Sequence, residues 1–127
     1  MFGNTFNPSG GGIAGIWTPT ITGIVNTAFI GAFPCYYHKI DSVVFISGQF
    51  DMQAAAIGNF QARFSLPFAS AFTTDDQLSG VANGYFGGVN CTGSLLASAA
   101  FDEMRIFTDA PDVGTRRYTF TAAYRIL

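Results

Sequence analysis

His38, the single histidine of the chain, has Cys35 three residues before it and Asp41 and Ser42 just after it. Such a set could supply a nucleophile with its base, or part of a metal site. Nucleophilic catalysis needs a base that a third group orients, and structural zinc usually takes four Cys or His ligands. One histidine and two cysteines fall short of both. His38 therefore reads as a strand residue beside Tyr36 and Tyr37, hydrogen-bonded locally. Cys35 and Cys91 read as small buried thiols, although sequence does not exclude a bridge between them.

The carboxylates receive the same treatment. Asp75 and Asp76 fall in a polar loop, and Asp109 and Asp112 flank Ala110-Pro111 in an expected turn. Glu103, the lone glutamate, precedes Arg105 by two residues and is expected to pair with it at the surface. Glycosidase chemistry needs two carboxyls facing each other across a cleft, and no EF-hand-like spacing announces calcium. Turn formation is the ordinary use of such aspartates. Gly10-Gly11-Gly12-Ile13-Ala14-Gly15 matches GxGxxG by letters, but no strand precedes it and Trp17-Thr18-Pro19 follows where a helix is required. Asn90-Cys91-Thr92 is a glycosylation sequon by letters only. Tyr85 and Phe86, among Gly84, Gly87 and Gly88, could stack on a sugar face, and with Asp109 and Asp112 they are the candidate loop-recognition residues. No catalytic residue, cofactor or metal is expected.

The elements that must position these residues are strands. Period-two alternation recurs from Trp17 onward. Expected strands cover Thr18–Thr22, Ala28–Phe33, Tyr36–Ile40, Val43–Met52 after a turn at Asp41-Ser42, Phe60–Leu66, Gly80–Phe86, Ser94–Ser98, Phe101–Thr108 and the segment from Arg117 to Ile126. Val44, Ile46, Phe50 and Met52 share one face, with Val43, Phe45, Ser47, Gln49 and Asp51 on the other, which turns polar toward its end. In the last strand Tyr118, Phe120, Ala122, Tyr124 and Ile126 share a face. Gly48 marks a bulge or a close backbone approach. A helical turn fits between residues 69 and 77, and no long helix does. About eight short strands with turn signals between them predict an all-β, antiparallel β-sandwich over residues 17–127.

Composition narrows the function classes. Charged residues are 11% of the 127 and aromatics 16%, with 14 Phe and a net charge of −2. Average soluble domains carry roughly 25% charge. There is no electrostatic footprint for nucleic acid, and no apolar run approaches the ~20 residues of a membrane helix. Residues 1–6 lack the basic start and apolar run of a signal peptide, which predicts synthesis in a cytoplasm. Residues 1–16 do not alternate. They form an expected N-terminal arm whose Phe2, Phe6, Ile13 and Ile16 would dock on a partner, in the sharpest form in a neighbouring subunit's groove.

Five blocks, in order, then carry a family resemblance: Trp17-Thr18-Pro19-Thr20, the strand Tyr37–Val44, Ser47-Gly48, Leu66-Pro67-Phe68-Ala69-Ser70-Ala71-Phe72-Thr73, and Tyr118-Thr119-Phe120-Thr121-Ala122-Ala123-Tyr124-Arg125-Ile126. The chain resembles a small β-sandwich domain of tailed-phage and prophage structural proteins. One departure is Asp41, where that family often has Gly. The resemblance implies a jelly-roll-like sandwich, a homo-oligomer and often a trimer. It also implies display on the virion surface for host attachment or shell stabilisation, as a spike, head fibre or decoration protein held to other virion proteins through the arm. A host-surface glycan is a possible partner. The rival expectation is a free-standing carbohydrate-binding, lectin-like module.

Overall fold

The structure is a computed structural model and describes residues 12–126. Ten strands form it: β1 (Ile13–Trp17), β2 (Ile21–Val25), β3 (Thr27–Ala32), β4 (Cys35–Ile40), β5 (Val43–Ala54), β6 (Gly58–Phe64), β7 (Leu78–Phe86), β8 (Val89–Ser98), β9 (Glu103–Ala110) and β10 (Arg116–Arg125). A single 3₁₀ turn, Asp75–Gln77, occupies the expected helical position. All pairings are antiparallel, in the order β1-β4-β5-β10-β7-β8-β9-β6-β2, with β3 also on β5. The fold is all-β, antiparallel and sandwich-like.

The order itself requires the sheet to curl. Its first strand ends at Trp17 and its last begins at Ile21, and four residues span at most ~14 Å. The two edges must therefore meet. Ser65 closes the seam: its backbone oxygen accepts from Trp17 Nε1 at 3.0 Å, its hydroxyl accepts from Thr20 N at 2.8 Å, and its N–H donates to Thr20 O at 2.9 Å. Pro19, which has no N–H to place in a ladder, is buried within this crossover. Thr18–Thr20 is thus a sheet-switching link, not the opening strand that alternation suggested.

β3 and β4 act as one interrupted strand along β5. Ala32 faces Phe50 and Tyr36 faces Ser47, so Phe33, Pro34 and Cys35 oppose only Gly48 and Gln49. That one-residue excess is a bulge, placed where Pro34 has no donor to lose. It presses Cys35 onto Gly48, where any Cβ would collide with the Cys35 sulfur. Both expectations for Gly48 hold together. Burial raises the Cys35 thiol pKa above its ordinary value, and both cysteines are free and buried. At the β4–β5 turn Asp41 has φ +54°, a left-handed conformation that Asp tolerates better than most side chains and that Gly adopts freely. This accounts for Asp standing at a position where glycine would also serve.

One core fills the curl. Val44, Ile46, Phe50 and Met52 of β5 meet Tyr118, Phe120, Ala122 and Tyr124 of β10, with Phe60, Phe64, Met104, Ile106 and Leu95 opposite. The faces of β5 and β10 are those that alternation assigned. Tyr124 straps the 65–74 segment down: its hydroxyl donates to Phe68 O at 2.8 Å and accepts from Phe68 N at 3.2 Å, and burial pushes its pKa up to about 12.

Candidate functional site

Ile13 and Ile16 lie in β1, paired with Lys39 and Tyr36 of β4. They belong to the sheet edge, so the body begins at Ile13 and not at residue 17. Phe2 and Phe6 lie outside the described residues.

The chemical candidates of β4 separate. Cys35 points into the core and His38 is half-buried, three positions apart on a strand whose faces alternate. They cannot act as a pair. Ser42 accepts a hydrogen bond from Arg125 Nη1 at 3.0 Å. Among the described residues no group of three or more His, Cys, Asp or Glu side chains could hold a metal ion, and no helix is long and apolar enough to cross a membrane.

The carboxylates are structural partners of arginines. Glu103 binds Arg63 Nε at 3.0 Å, not Arg105. Neighbours two apart on a strand share a face, but here the cross-strand Arg63 of β6 lies closer. Arg105 instead reaches Asp75 at 3.0 Å, whose other oxygen accepts from Ala99 N at 3.2 Å. Asp51 holds Arg117 directly across β5 and β10, at 2.8 and 3.1 Å. Asp109 is an exposed residue within β9, not in a turn.

Asp112 does sit in the turn, and it is committed. It accepts from both terminal nitrogens of Arg116 at 2.9 and 2.8 Å and from Gly114 N at 2.9 Å. Arg116 is 1% exposed, whereas Arg117 beside it is exposed, as opposite-facing strand neighbours should be. The Arg116 hydrogen bonds hold the Asp112 carboxyl below its ordinary pKa, helped by the Gly114 N–H. A depressed folded pKa gives stability that is complete above the unfolded value of ~3.9 and is lost as pH falls through the folded one. In urea unfolding, Asp112→Asn is therefore expected to be less stable than wild type at pH 7, with the gap closing below about pH 4. A gap that does not change with pH would contradict the assignment.

The aromatic loop is a tight β7–β8 hairpin turning at Gly87 and Gly88, both at positive φ. Tyr85 is 62% exposed. Phe86 packs on Gly114, where a Cβ would strike its ring, and lies 5.8 Å from the Arg116 guanidinium. Phe86 nonetheless remains 46% exposed, so both rings of the expected platform reach solvent, while Asp112 is engaged by Arg116. Comparison with family models, curated proteins and solved structures finds no match for this chain.

Two apolar surfaces that the loop-centred reading did not single out are the more developed sites. One is the outer face of β4, β5, β10 and β7. There Tyr36, Ser47, Thr121 and Val81 form one cross-strand row, and His38, Phe45, Ala123 and Ser79 the next. The other is a corner built on Asn26 (φ +51°) between β2 and β3. The Asn26 side chain donates to Ala56 O at 2.9 Å and Asn59 O at 3.1 Å and accepts from Ala56 N at 3.0 Å. Around this knot Ile24, Val25, Phe29 and Ile57 are 54, 51, 49 and 73% exposed. Phe45, an aromatic on the β5 face that turns polar toward its end, is the sequence clue to the first. The corner had none, because it joins segments about thirty residues apart.

Proposed function

We propose that this protein is a non-enzymatic virion structural protein: a trimeric surface spike, head-fibre or decoration protein that aids host attachment or shell stabilisation. Residues 1–11 link it to other virion proteins. The observation that carries the reading is the Asn26 corner, where four large apolar side chains stand in solvent on a hydrogen-bonded, rigid support. Large apolar side chains exposed at one corner suit an interaction site, and a rigid one costs little ordering on association. The arginines Arg63, Arg105, Arg116 and Arg117 are all held in ion pairs within the fold. Copies of the chain are the natural occupants, and closed cyclic symmetry is the usual solution.

The five ordered sequence blocks support the virion assignment. The lectin-like alternative keeps Tyr85 and the exposed part of Phe86 as a stacking surface, with Asp112 already engaged by Arg116. Mass spectrometry of purified particles from a host carrying this gene tests the proposal. The protein is expected to co-purify with particles at fixed stoichiometry and to be lost when residues 1–11 are deleted. Its absence from particles while it accumulates free in the lysate would overturn the reading.

A further inference from the structure

Two troughs lie side by side on the outer face, one on each side of the Phe45 ring. The first, about 300 Å³, is bounded by Tyr36, His38, Ser47 and Thr121. The second, also about 300 Å³, is bounded by Ser79, Gly80, Val81 and Ala123. Phe45 and Thr121 line both. Gly80, opposite Ala122 of β10, gives the floor of the second. Neither trough is lined by a charged side chain, so the occupant they fit is an uncharged segment with two apolar side chains.

We propose that this double trough seats residues 1–11 of the same chain, with Phe6 in the first trough and Phe2 in the second. Four observations converge on this occupant. The described chain begins at Gly12, which lies against the His38 ring, where a Cβ would clash with Nε2. His38 lines the first trough and faces Phe45 across the strands. The segment thus departs about two strand spacings, roughly 10 Å, from its seat. The six residues from Phe6 to Gly12 span up to ~20 Å, and Gly10, Gly11 and Gly12 permit the reversal back over the sheet.

The spacing of the aromatics matches as well. Phe2 and Phe6 are four residues apart, so in an extended segment they share a face at ~13 Å. The troughs flank one ring across neighbouring strands, also on the order of 10 Å apart. Residues 1–11 contain no Asp, Glu, Lys, Arg or His, which suits uncharged walls. A tether this short gives an effective concentration in the ~mM range, so the chain's own segment outcompetes that of another copy. This inference deepens the reading of the segment as a virion link, since a particle protein would have to draw it from this seat; it is independent of trimer formation.

Disulfide trapping in the full chain tests it. Phe6→Cys is combined with Ser47→Cys or, in a second variant, with Thr121→Cys, both in the first trough. Cys35 and Cys91 are buried and act as unreactive internal controls. Under mild oxidation, intact mass after alkylation is expected to show most molecules as monomers that have lost two thiols. Phe6→Cys with Thr92→Cys, on exposed β8 surface, is expected to remain unlinked. Disulfide-linked multimers would place the segment in another copy and overturn the proposal. Two free thiols in both trough variants, with folding verified by circular dichroism, would overturn it equally. Neither outcome depends on whether wild type is a trimer, which is measured separately.

Discussion

Replacing Phe50 by Ala is expected to destabilise the fold by about 3–5 kcal/mol, the range for emptying an aromatic site in a packed core. Phe50 is 1% exposed. Its ring stacks on Tyr118 with centroids 5.1 Å apart and planes at 7°, meets Phe64 edge-on at 5.0 Å, and touches Phe120 at 6.0 Å. These neighbours sit on β10 and β6, on opposite sides of the core, and each is held by its own ladder. The site therefore cannot collapse freely, and the cavity term adds to the lost transfer energy. Phe50 also faces Ala32 next to the bulge that splits β3 from β4, so the loss would fall where the sheet bends. For a domain of this size the midpoint of thermal unfolding should drop by roughly 10–20 °C. Urea and thermal unfolding followed by circular dichroism would check it. A loss below about 1 kcal/mol would mean that the core closes over the gap, against the packing described.

The parts of the fold legible in the sequence were those decided by nearest neighbours along a strand. The aromatic row of β10, the buried face of β5, the opposed environments of Arg116 and Arg117, and the glycine contact at Gly48 all follow from period two and residue size. The sequence was less informative where the outcome depends on which strand lies alongside. Glu103 takes Arg63 because β6 pairs with β9, a fact that no local pattern contains. Trp17 closes β1 rather than opening the body, because the 13–25 segment must bridge the two edges of the curled sheet. Asp109 stays in a strand because β9 continues to pair with Asn59 of β6. The site followed the same rule. Tyr85 and Phe86 were conspicuous by composition and both are exposed, but their companion Asp112 is held by Arg116 and Asp109 lies within a strand. The Asn26 corner is assembled from Ile24, Val25, Phe29 and Ile57 only after the β2–β3 and β5–β6 connections come together.

Ile57→Asp is expected to convert the assembly to monomers while leaving the fold intact. Ile57 is 73% exposed, and surface substitutions of this kind usually change stability by less than about 0.5 kcal/mol. At a contact between copies, by contrast, each subunit would bury an unpaired carboxylate. Burying an unpaired charge is among the costliest changes that an interface can suffer. A cost of even ~3 kcal/mol per contact corresponds to a dissociation constant raised on the order of 100-fold. Far-UV circular dichroism serves as the control, since the spectrum should match that of wild type, whereas the melting temperature should fall by the stabilisation that assembly contributes.

The most direct measurement of self-association through this uncharged corner is sedimentation velocity of the wild-type chain and Ile57→Asp, side by side at micromolar concentration. The account predicts a wild-type peak at three times the 13.5 kDa chain mass and a monomeric Ile57→Asp. A wild-type protein that remains monomeric, or an Ile57→Asp variant that assembles as wild type does, would contradict it.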